Sequence, residues 1–328
     1  MVKFIMVMLL LSAWALRIQA EDLGRDMIVV TVRGATGDEQ YEKKLDQVAA
    51  AWRKLCQQAE IDLLEVGGEQ RGASGKDDRE VLRGVLVSEI KAKRGELWLV
   101  LIGHGTFDGR ESKFNMRGPD FTDAELGQWL SSYKGKLVVV NTASASGSFI
   151  KGLSGKNRVV ITATKSAHEV FYPRFGKFFV EAIGGLEQAD LDHDRQVSLL
   201  EAFLYAGHEV RSFYERERRI ATEHALLDDN GDQRGVRAES FVGVTAQLSG
   251  NEKEGGGSPD GERAHQIYLL QNELEASLAE DLRMRRDELE RLVKVLRRKR
   301  GKINEGLYYK QLEELLLEMA RIYIGEGE

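Results

Sequence analysis

The chain has 328 residues, of which 42% are hydrophobic and 30% are charged, so it is long enough for one large or two ordinary folded domains. This composition is ordinary for a soluble folded protein. The formal net charge is −6 and no long basic run precedes residue 280, which argues against nucleic-acid binding because that function normally needs a basic face.

Residues 1–20 are typical of a secretory signal peptide. Lys3 supplies the positive start, residues 4–16 form an apolar run, and Ala20 is a small residue before polar sequence. The alternative is a membrane anchor, but this run is shorter than the roughly 20 residues that a helix needs to cross a bilayer. We therefore expect a secreted or periplasmic protein with no transmembrane span after removal of this segment.

Strand-like and helical segments alternate along residues 25–248. The strand-like segments are 27–34, 61–68, 96–105 and the runs KLVVVNTASASG and NRVVITATKS. The helical segments are 38–60, 76–95, FTDAELGQWLSSYKG, YPRFGKFFVEAIGG and SLLEAFLYAGHEVRSFYERERR. Nearly continuous apolar strands are typical of parallel sheets that are covered on both faces. The alternation therefore predicts an α/β domain with a doubly wound, mostly parallel sheet.

The chain beyond this domain is interpreted as a linker and a helical hairpin. Residues 249–262 lack large side chains and are rich in glycine, which is typical of a flexible linker. Residues 263–328 then show a seven-residue recurrence of a coiled-coil kind, at Leu278, Leu282, Leu289, Leu292, Leu296 and Ile303. With a second amphipathic segment at 307–324 they predict a hairpin that packs on the domain or associates with another copy.

A basic cluster lies inside this predicted hairpin, at residues 297–302. Its simplest interpretation is a solvated helix end, where positive side chains favour the helix dipole. Contact with an anionic membrane surface is the other interpretation left open.

Polar residues follow two neighbouring buried strands at the point where each strand ends. His104 and Gly105 end the run LVLIGHG, and Ser144 lies in the run VVNTASASGS. Ligands bind at the carboxyl ends of parallel strands, so we expect these side chains to meet at one edge of the sheet. The backbone N–H of Gly105 is a candidate oxyanion donor there.

These motifs resemble those of the legumain family and, more widely, of the caspase–hemoglobinase fold. A strand that ends in His-Gly is followed about forty residues later by a strand that ends in Ala-Cys-x-Ser-Gly; here the second block is Ala-Ser-Ala-Ser-Gly, residues 143–147. The resemblance covers roughly residues 25–240. It implies a caspase-like peptidase domain with His104 and residue 144 as the catalytic pair.

The departure from that family is Ser144, which stands where the family has its nucleophilic cysteine. A thiolate forms easily beside a histidine, whereas a hydroxyl needs a well-aligned general base that a third group orients. No acidic residue is evident as an orienter of His104. We therefore expect a peptidase homologue that lacks activity and binds a peptide or protein segment. The alternative is an active hydrolase of peptide bonds that uses a Ser144–His104 dyad.

Other candidate residues have simpler interpretations. His104 itself could be a polar loop cap, and Ser146 is expected to be a turn residue. His168 either borders the same cleft or is an ordinary surface histidine. His208, His224 and the single cysteine, Cys56, show no spacing typical of a zinc site, and Cys56 lies in a helical pattern without a turn to present it.

Residues 190–201 follow the pattern of a twelve-residue calcium loop. The candidate ligands are Asp190, Asp192, Asp194, Gln196, Ser198 and Glu201. Arg195 replaces the usual glycine at the sharp turn, so we expect strain of roughly 1–2 kcal/mol and weak Ca²⁺ binding. The alternative is a solvated acidic cap of the following helix. No cofactor is expected to be required.

A fainter copy of this pattern occurs at residues 228–239. Asp228, Asn230, Asp232 and Glu239 hold the ligand positions, but Gly235 stands where an apolar residue is usual. A turn rich in Asp and Asn is the alternative interpretation.

Overall fold

The structure is a computed structural model that describes residues 26–68, 77–247 and 258–324. The predicted signal peptide and residues 249–257 of the predicted linker lie outside these ranges.

The described chain forms a mostly parallel six-stranded sheet and two small antiparallel sheets. The strands are β1 (Met27–Arg33), β2 (Asp62–Gly67), β3 (Glu96–Ile102), β4 (Gly105–Phe107), β5 (Ser112–Phe114), β6 (Phe121–Thr122), β7 (Lys136–Asn141), β8 (Arg158–Thr162), β9 (Leu226–Asp228), β10 (Phe241–Val242) and β11 (Thr245–Ala246). The large sheet has the order β2-β1-β3-β7-β8-β9, in which only the edge strand β9 is antiparallel. The predicted doubly wound, mostly parallel α/β fold is confirmed.

Helices cover both faces of this sheet. The helices of the described ranges are α1 (Glu39–Gln58), α2 (Asp78–Ala92), α3 (Asp123–Trp129), α4 (Phe149–Leu153), α5 (Phe175–Ile183), α6 (Leu199–Arg216), α7 (Glu273–Ser277), α8 (Glu280–Arg298) and α9 (Glu305–Ile324), of which α1–α6 cover the sheet. One core joins the sheet to α1, α5 and α6, and a second core joins the opposite face to α2, α3 and α4. This double covering explains why β3 and β7 read as unbroken apolar runs.

Side chains cap the first turns of two helices. The Thr122 hydroxyl accepts the Glu125 N–H, while the Glu125 carboxylate accepts the Thr122 N–H, which is the predicted capping box of α3. Ser198 and Glu201 form the same arrangement at the start of α6.

A three-stranded sheet, in the order β4-β5-β6, follows the end of β3. Gly105 begins β4 directly after His104, and β4 pairs with β5 in antiparallel register. The backbone after His104 is therefore fixed by strand pairing.

The segment that follows the predicted linker packs against the domain. The carboxylate of Asp229 accepts the N–H groups of Gly261, Arg263 and Ala264, and the carboxylate of Asp260 accepts the Asp229 N–H. The chain is therefore anchored to the domain from residue 260 onward, inside the range interpreted as a linker. The anchor consists of two buried carboxylates, Asp229 and Asp260, each of which accepts backbone N–H groups from the segment of the other.

The C-terminal helices form a hairpin whose helices α8 and α9 contact each other. However, Leu278 lies after the end of α7 and Ile303 lies after the end of α8, so the seven-residue recurrence does not follow one continuous helix. The recurrence is therefore interrupted at both ends of α8, and the coiled-coil interpretation stays a prediction. Within the described ranges, none of the helices combines the length and apolarity that crossing a bilayer requires.

We predict that Asp229→Ala releases the segment around residue 262. Three buried N–H groups lose their acceptor, which costs on the order of 2 kcal/mol. Hydrogen exchange should accelerate at Gly261, Arg263 and Ala264. Asp232→Ala is the matched control, because Asp232 caps only the local Arg234 N–H. Unchanged protection in Asp229→Ala would contradict the anchoring role.

Candidate functional site

His104 lies two residues beyond the end of β3, at the carboxyl edge of the sheet. Its ring makes edge contacts with Tyr41 of α1 and with Tyr172, with centroids 4.8 and 5.8 Å away. The Lys44 ammonium lies over both tyrosine rings, at 5.3 and 5.4 Å. Half-buried among these groups, the imidazole has a lowered pKa because burial disfavours its charged form.

Ser144 follows β7 and is 2% exposed. Its hydroxyl donates to the Gly105 carbonyl oxygen at 2.9 Å and accepts the Gly105 N–H at 3.1 Å. The single donor of this hydroxyl and one of its two acceptor sites are therefore taken by the backbone of Gly105. No side chain in the described ranges is hydrogen-bonded to the His104 ring.

Gly105 is required by a close approach of two loops. A Cβ at this position would lie 2.2 Å from the Ser144 carbonyl oxygen, so only glycine fits. Because its N–H already donates to Ser144 Oγ, this N–H is not open to an oxyanion. The expectation that the Gly105 N–H serves as an oxyanion donor is therefore corrected. In the structure this N–H takes part in the packing between the two segments.

Ala145 follows Ser144 in a left-handed conformation, with φ of 51°. This costs a non-glycine residue roughly 1–2 kcal/mol. The Ala145 N–H donates to the Glu169 carbonyl oxygen at 2.8 Å, which helps to hold the turn.

Ser146 is a buried turn residue, as its sequence position suggests. Its hydroxyl lies 3.0 Å from the Thr164 hydroxyl, which also accepts the Ser146 and Gly147 N–H groups. This network joins the turn after β7 to the turn after β8, and it leaves Ser146 in a structural role.

Glu169 and His224 form a carboxylate–histidine pair that the sequence analysis missed. His224 Nδ1 lies 2.5 Å from Glu169 Oε1, and Glu169 Oε2 accepts the N–H groups of His224 and Lys165. The two residues are 55 positions apart, so no local spacing could have indicated the contact.

Apolar side chains are exposed beside this edge of the sheet. Phe171 is 65% exposed and Val170 is 51% exposed. His168 is exposed too, and its ring contacts Phe107 of β4 edge-on at 5.1 Å. His168 is thus a surface residue that packs on β4.

Glu223 is buried between α5 and α6, at 2% exposure. Its carboxylate accepts the N–H groups of Arg174 and Phe175 at the start of α5, and also the Tyr214 hydroxyl. Burial nevertheless raises its pKa to about 7. Sequence reasoning missed this group, since nothing local marks the residue as buried.

Cys56 lies buried in α1 and burial raises the pKa of its thiol to about 12, which fits an ordinary helix residue rather than a nucleophile. His208 is exposed on α6.

The first acidic loop brings its three aspartates together. Carboxylate oxygens of Asp190, Asp192 and Asp194 lie within 4.8 Å of one another, and no other such cluster occurs in the described part of the chain. The backbone of Arg195 has a φ of 69°, so a residue with a side chain does adopt the left-handed conformation that the sequence predicted at this turn. The pKa of Asp194 rises to about 6 through burial and the nearby Asp192.

Other groups compete for the remaining ligands of this loop. Glu201 Oε1 accepts the N–H groups of Leu191 and Asp192, and Oε2 accepts the N–H and hydroxyl of Ser198. The Gln196 side chain accepts the Asn272 N–H. Asp192 pairs with His265 at 3.0 Å, which holds the Asp192 pKa below its usual range.

The second acidic loop does not gather its ligands. Asp228 is part of β9, and Glu239 forms an ion pair with Arg237. Asn230 and Asp232 accept N–H groups two residues further on. The calcium interpretation of residues 228–239 is therefore wrong, and the alternative of local turns describes them.

No protein-family model matches the chain, and no curated relative matches it. Among solved structures, it is similar to the Drosophila initiator caspase Dronc, with 13% identity, a TM-score of 0.44, and coverage of 66% of this chain and 84% of that one. It is also similar to caspase-1 from Spodoptera frugiperda, with 8% identity, a TM-score of 0.38, and coverage of 62% and 86%.

We predict that Ser144→Ala lowers the free energy of unfolding by about 2 kcal/mol, because the buried N–H and carbonyl of Gly105 lose their partner. Urea unfolding measures this change. Ser131→Ala is the control: the hydroxyl of Ser131 is exposed and bonds only a local carbonyl, so its loss should cost less than about 0.5 kcal/mol. Equal effects of the two substitutions would contradict the structural role of Ser144.

The Glu223 carboxyl predicts a pH dependence of stability. Its pKa of about 7 in the folded protein exceeds its ordinary value of 4.5, so the folded state retains a proton that the unfolded state has lost. The unfolding free energy therefore falls as pH rises from about 4.5 to about 7, by roughly 3 kcal/mol for this group. Glu223→Gln should remove that part of the slope.

Urea unfolding of both proteins at pH 5 and pH 8 makes the comparison. Asp260, whose pKa burial raises to about 8, contributes a slope of the same sign in both proteins and cancels in the difference. Identical pH slopes for the two proteins would contradict the buried position of Glu223.

Proposed function

We propose that the chain is a peptidase homologue of the legumain and caspase kind that binds a peptide segment without cleaving it. The observation that carries this proposal is the Ser144 hydroxyl, which both donates to and accepts from the backbone of Gly105. A nucleophilic hydroxyl needs a general base within hydrogen-bond reach, and here its proton is already directed at a carbonyl oxygen.

The surroundings of His104 support the same conclusion. Its ring lies between Tyr41 and Tyr172, and in the described ranges no carboxylate is hydrogen-bonded to it. A serine-based dyad depends on an oriented base, which is usually held by a third group. The alternative function, an active hydrolase with a Ser144–His104 dyad, therefore needs both side chains to rearrange.

Peptide binding is supported by the strand that follows His104. β4 pairs with β5 on one side and is an edge strand of its sheet; because Ser144 occupies the outer N–H and carbonyl of Gly105, an extended segment could add only further along, beside Thr106 and Phe107. Phe171 and Val170 expose apolar surface at the same end of the molecule, beyond β8. A peptide with apolar side chains fits this combination of backbone groups and exposed hydrophobic residues.

Export through residues 1–20 belongs to the same proposal and rests on the sequence alone. Self-association through the C-terminal helices also stays a prediction; it is motivated by apolar residues that α9 exposes, namely Leu307, Tyr309, Leu316, Leu317 and Ile324.

We predict that the protein without residues 1–20 neither reacts with a fluorophosphonate nor cleaves a peptide library, because the hydroxyl of Ser144 lacks a base. The same library should still yield binders when it is used in a pull-down, and Phe171→Ser should reduce their recovery about fivefold through lost apolar burial. Val242→Ser, which removes another exposed apolar side chain, is the matched control.

Two results would decide against this proposal. Fluorophosphonate labelling or cleavage that disappears in Ser144→Ala would establish the hydrolase instead. Recovery of the same peptides by the wild type and Phe171→Ser would remove the proposed binding surface.

Weak Ca²⁺ binding at residues 190–201 stays a prediction, supported by the convergence of Asp190, Asp192 and Asp194. Millimolar Ca²⁺ should raise the melting temperature by about 2 °C at pH 7. The shift should shrink at pH 5, because the Asp194 carboxyl, with its pKa of about 6, is then protonated. Asp192→Ala should abolish the shift and Asp232→Ala should retain it. No shift of the wild type at about 5 mM Ca²⁺ would exclude the site.

A further inference from the structure

A cavity of about 220 Å³ lies at the carboxyl end of β8, apart from Ser144 and His104. It opens between α5, α6 and the segments 221–225 and 237–239. Its apolar walls come from six side chains, those of Ala163, Phe175, Val210, Ala221, Ala225 and Ala238. This volume is large enough for a small organic molecule.

Two of the acidic groups that line this cavity are already satisfied. The Glu223 carboxylate accepts two backbone N–H groups and the Tyr214 hydroxyl. Glu239 pairs with Arg237 at 3.1 Å, so this pair contributes little net charge. Burial keeps the Glu223 carboxyl protonated up to its pKa of about 7, so below that pH neither acid determines the charge that a ligand meets.

The remaining polar groups are Arg211 and His224. Arg211, on α6, has Glu215 as its one ion-pair partner among the described residues, at the long distance of 3.9 Å. His224 uses Nδ1 for Glu169, which fixes the ring and leaves Nε2 as the nitrogen that faces away from that carboxylate. A guanidinium with most of its donors open is suited to a carboxylate, which it can bind through two parallel hydrogen bonds.

We propose that this cavity is a binding site for a small monocarboxylate with a short apolar chain. The Arg211 guanidinium holds the carboxylate, His224 offers a second polar contact, and the chain packs on Phe175 and Val210. Binding buries the apolar part and replaces water on the half-exposed Arg211 guanidinium. This site is separate from the proposed peptide surface and stands or falls independently of it.

Isothermal calorimetry with pentanoate tests the site on the full chain without residues 1–20. Wild-type protein should bind pentanoate with a Kd on the order of 1 mM. Arg211→Gln should weaken binding about tenfold, the effect of one lost charge-assisted hydrogen bond pair. Pentanamide is the neutral counterpart of pentanoate. It should bind the wild-type protein no more tightly than pentanoate binds the Arg211→Gln variant.

Arg216→Gln is the matched control, because Arg216 lies on the same helix outside the cavity lining and should leave binding unchanged. Melting curves establish that both variants are folded. The proposal is overturned if wild-type protein shows no heat at about 10 mM pentanoate, if Arg211→Gln binds as well as the wild type, or if pentanamide binds equally well.

Discussion

The contact between Ser144 and Gly105 joins the loops that follow two neighbouring parallel strands, β3 and β7. The backbones approach so closely that a Cβ on Gly105 would lie 2.2 Å from the Ser144 carbonyl oxygen. At this approach a small hydroxyl side chain fits and bonds both backbone polar groups of Gly105. The interaction that holds the loops together thus also directs the hydroxyl proton at a carbonyl oxygen, and the proposed lack of catalysis rests on this contact.

The neighbouring loops extend this constraint. Ala145 is held in a strained left-handed conformation and bonds the Glu169 carbonyl, while the Glu169 side chain bonds His224. Strain of this kind persists only where the surroundings fix it, and it is common at functional sites. The turn after β7 is therefore a strained turn whose hydroxyl is directed into the packing between the loops. This arrangement supports the proposed binding role.

Much of the architecture could be predicted from the sequence, because it depends on local patterns. Apolar runs located the strands, Thr122 and Glu125 marked a helix start, and the pattern around Arg195 predicted a left-handed turn. The site could be predicted less well, since its partners are distant in the chain. Tyr41 and Tyr172 reach His104 from separate elements, and Ser144 bonds to backbone, which carries no sequence signal. The packing of residue 260 was missed for a similar reason: glycine-rich sequence resembles a linker unless the buried carboxylate that anchors it is known.

The Gly105 amide reports most directly on whether the Ser144 hydroxyl is engaged. Hydrogen exchange, resolved at this amide, should show strong protection in the wild type and at least about fivefold faster exchange in Ser144→Ala, while amides within β7 keep their protection. Rapid exchange of the Gly105 amide in the wild type would mean that the hydroxyl is free. In that case Ser144 would again be a candidate nucleophile, and the account of a non-catalytic site would be wrong.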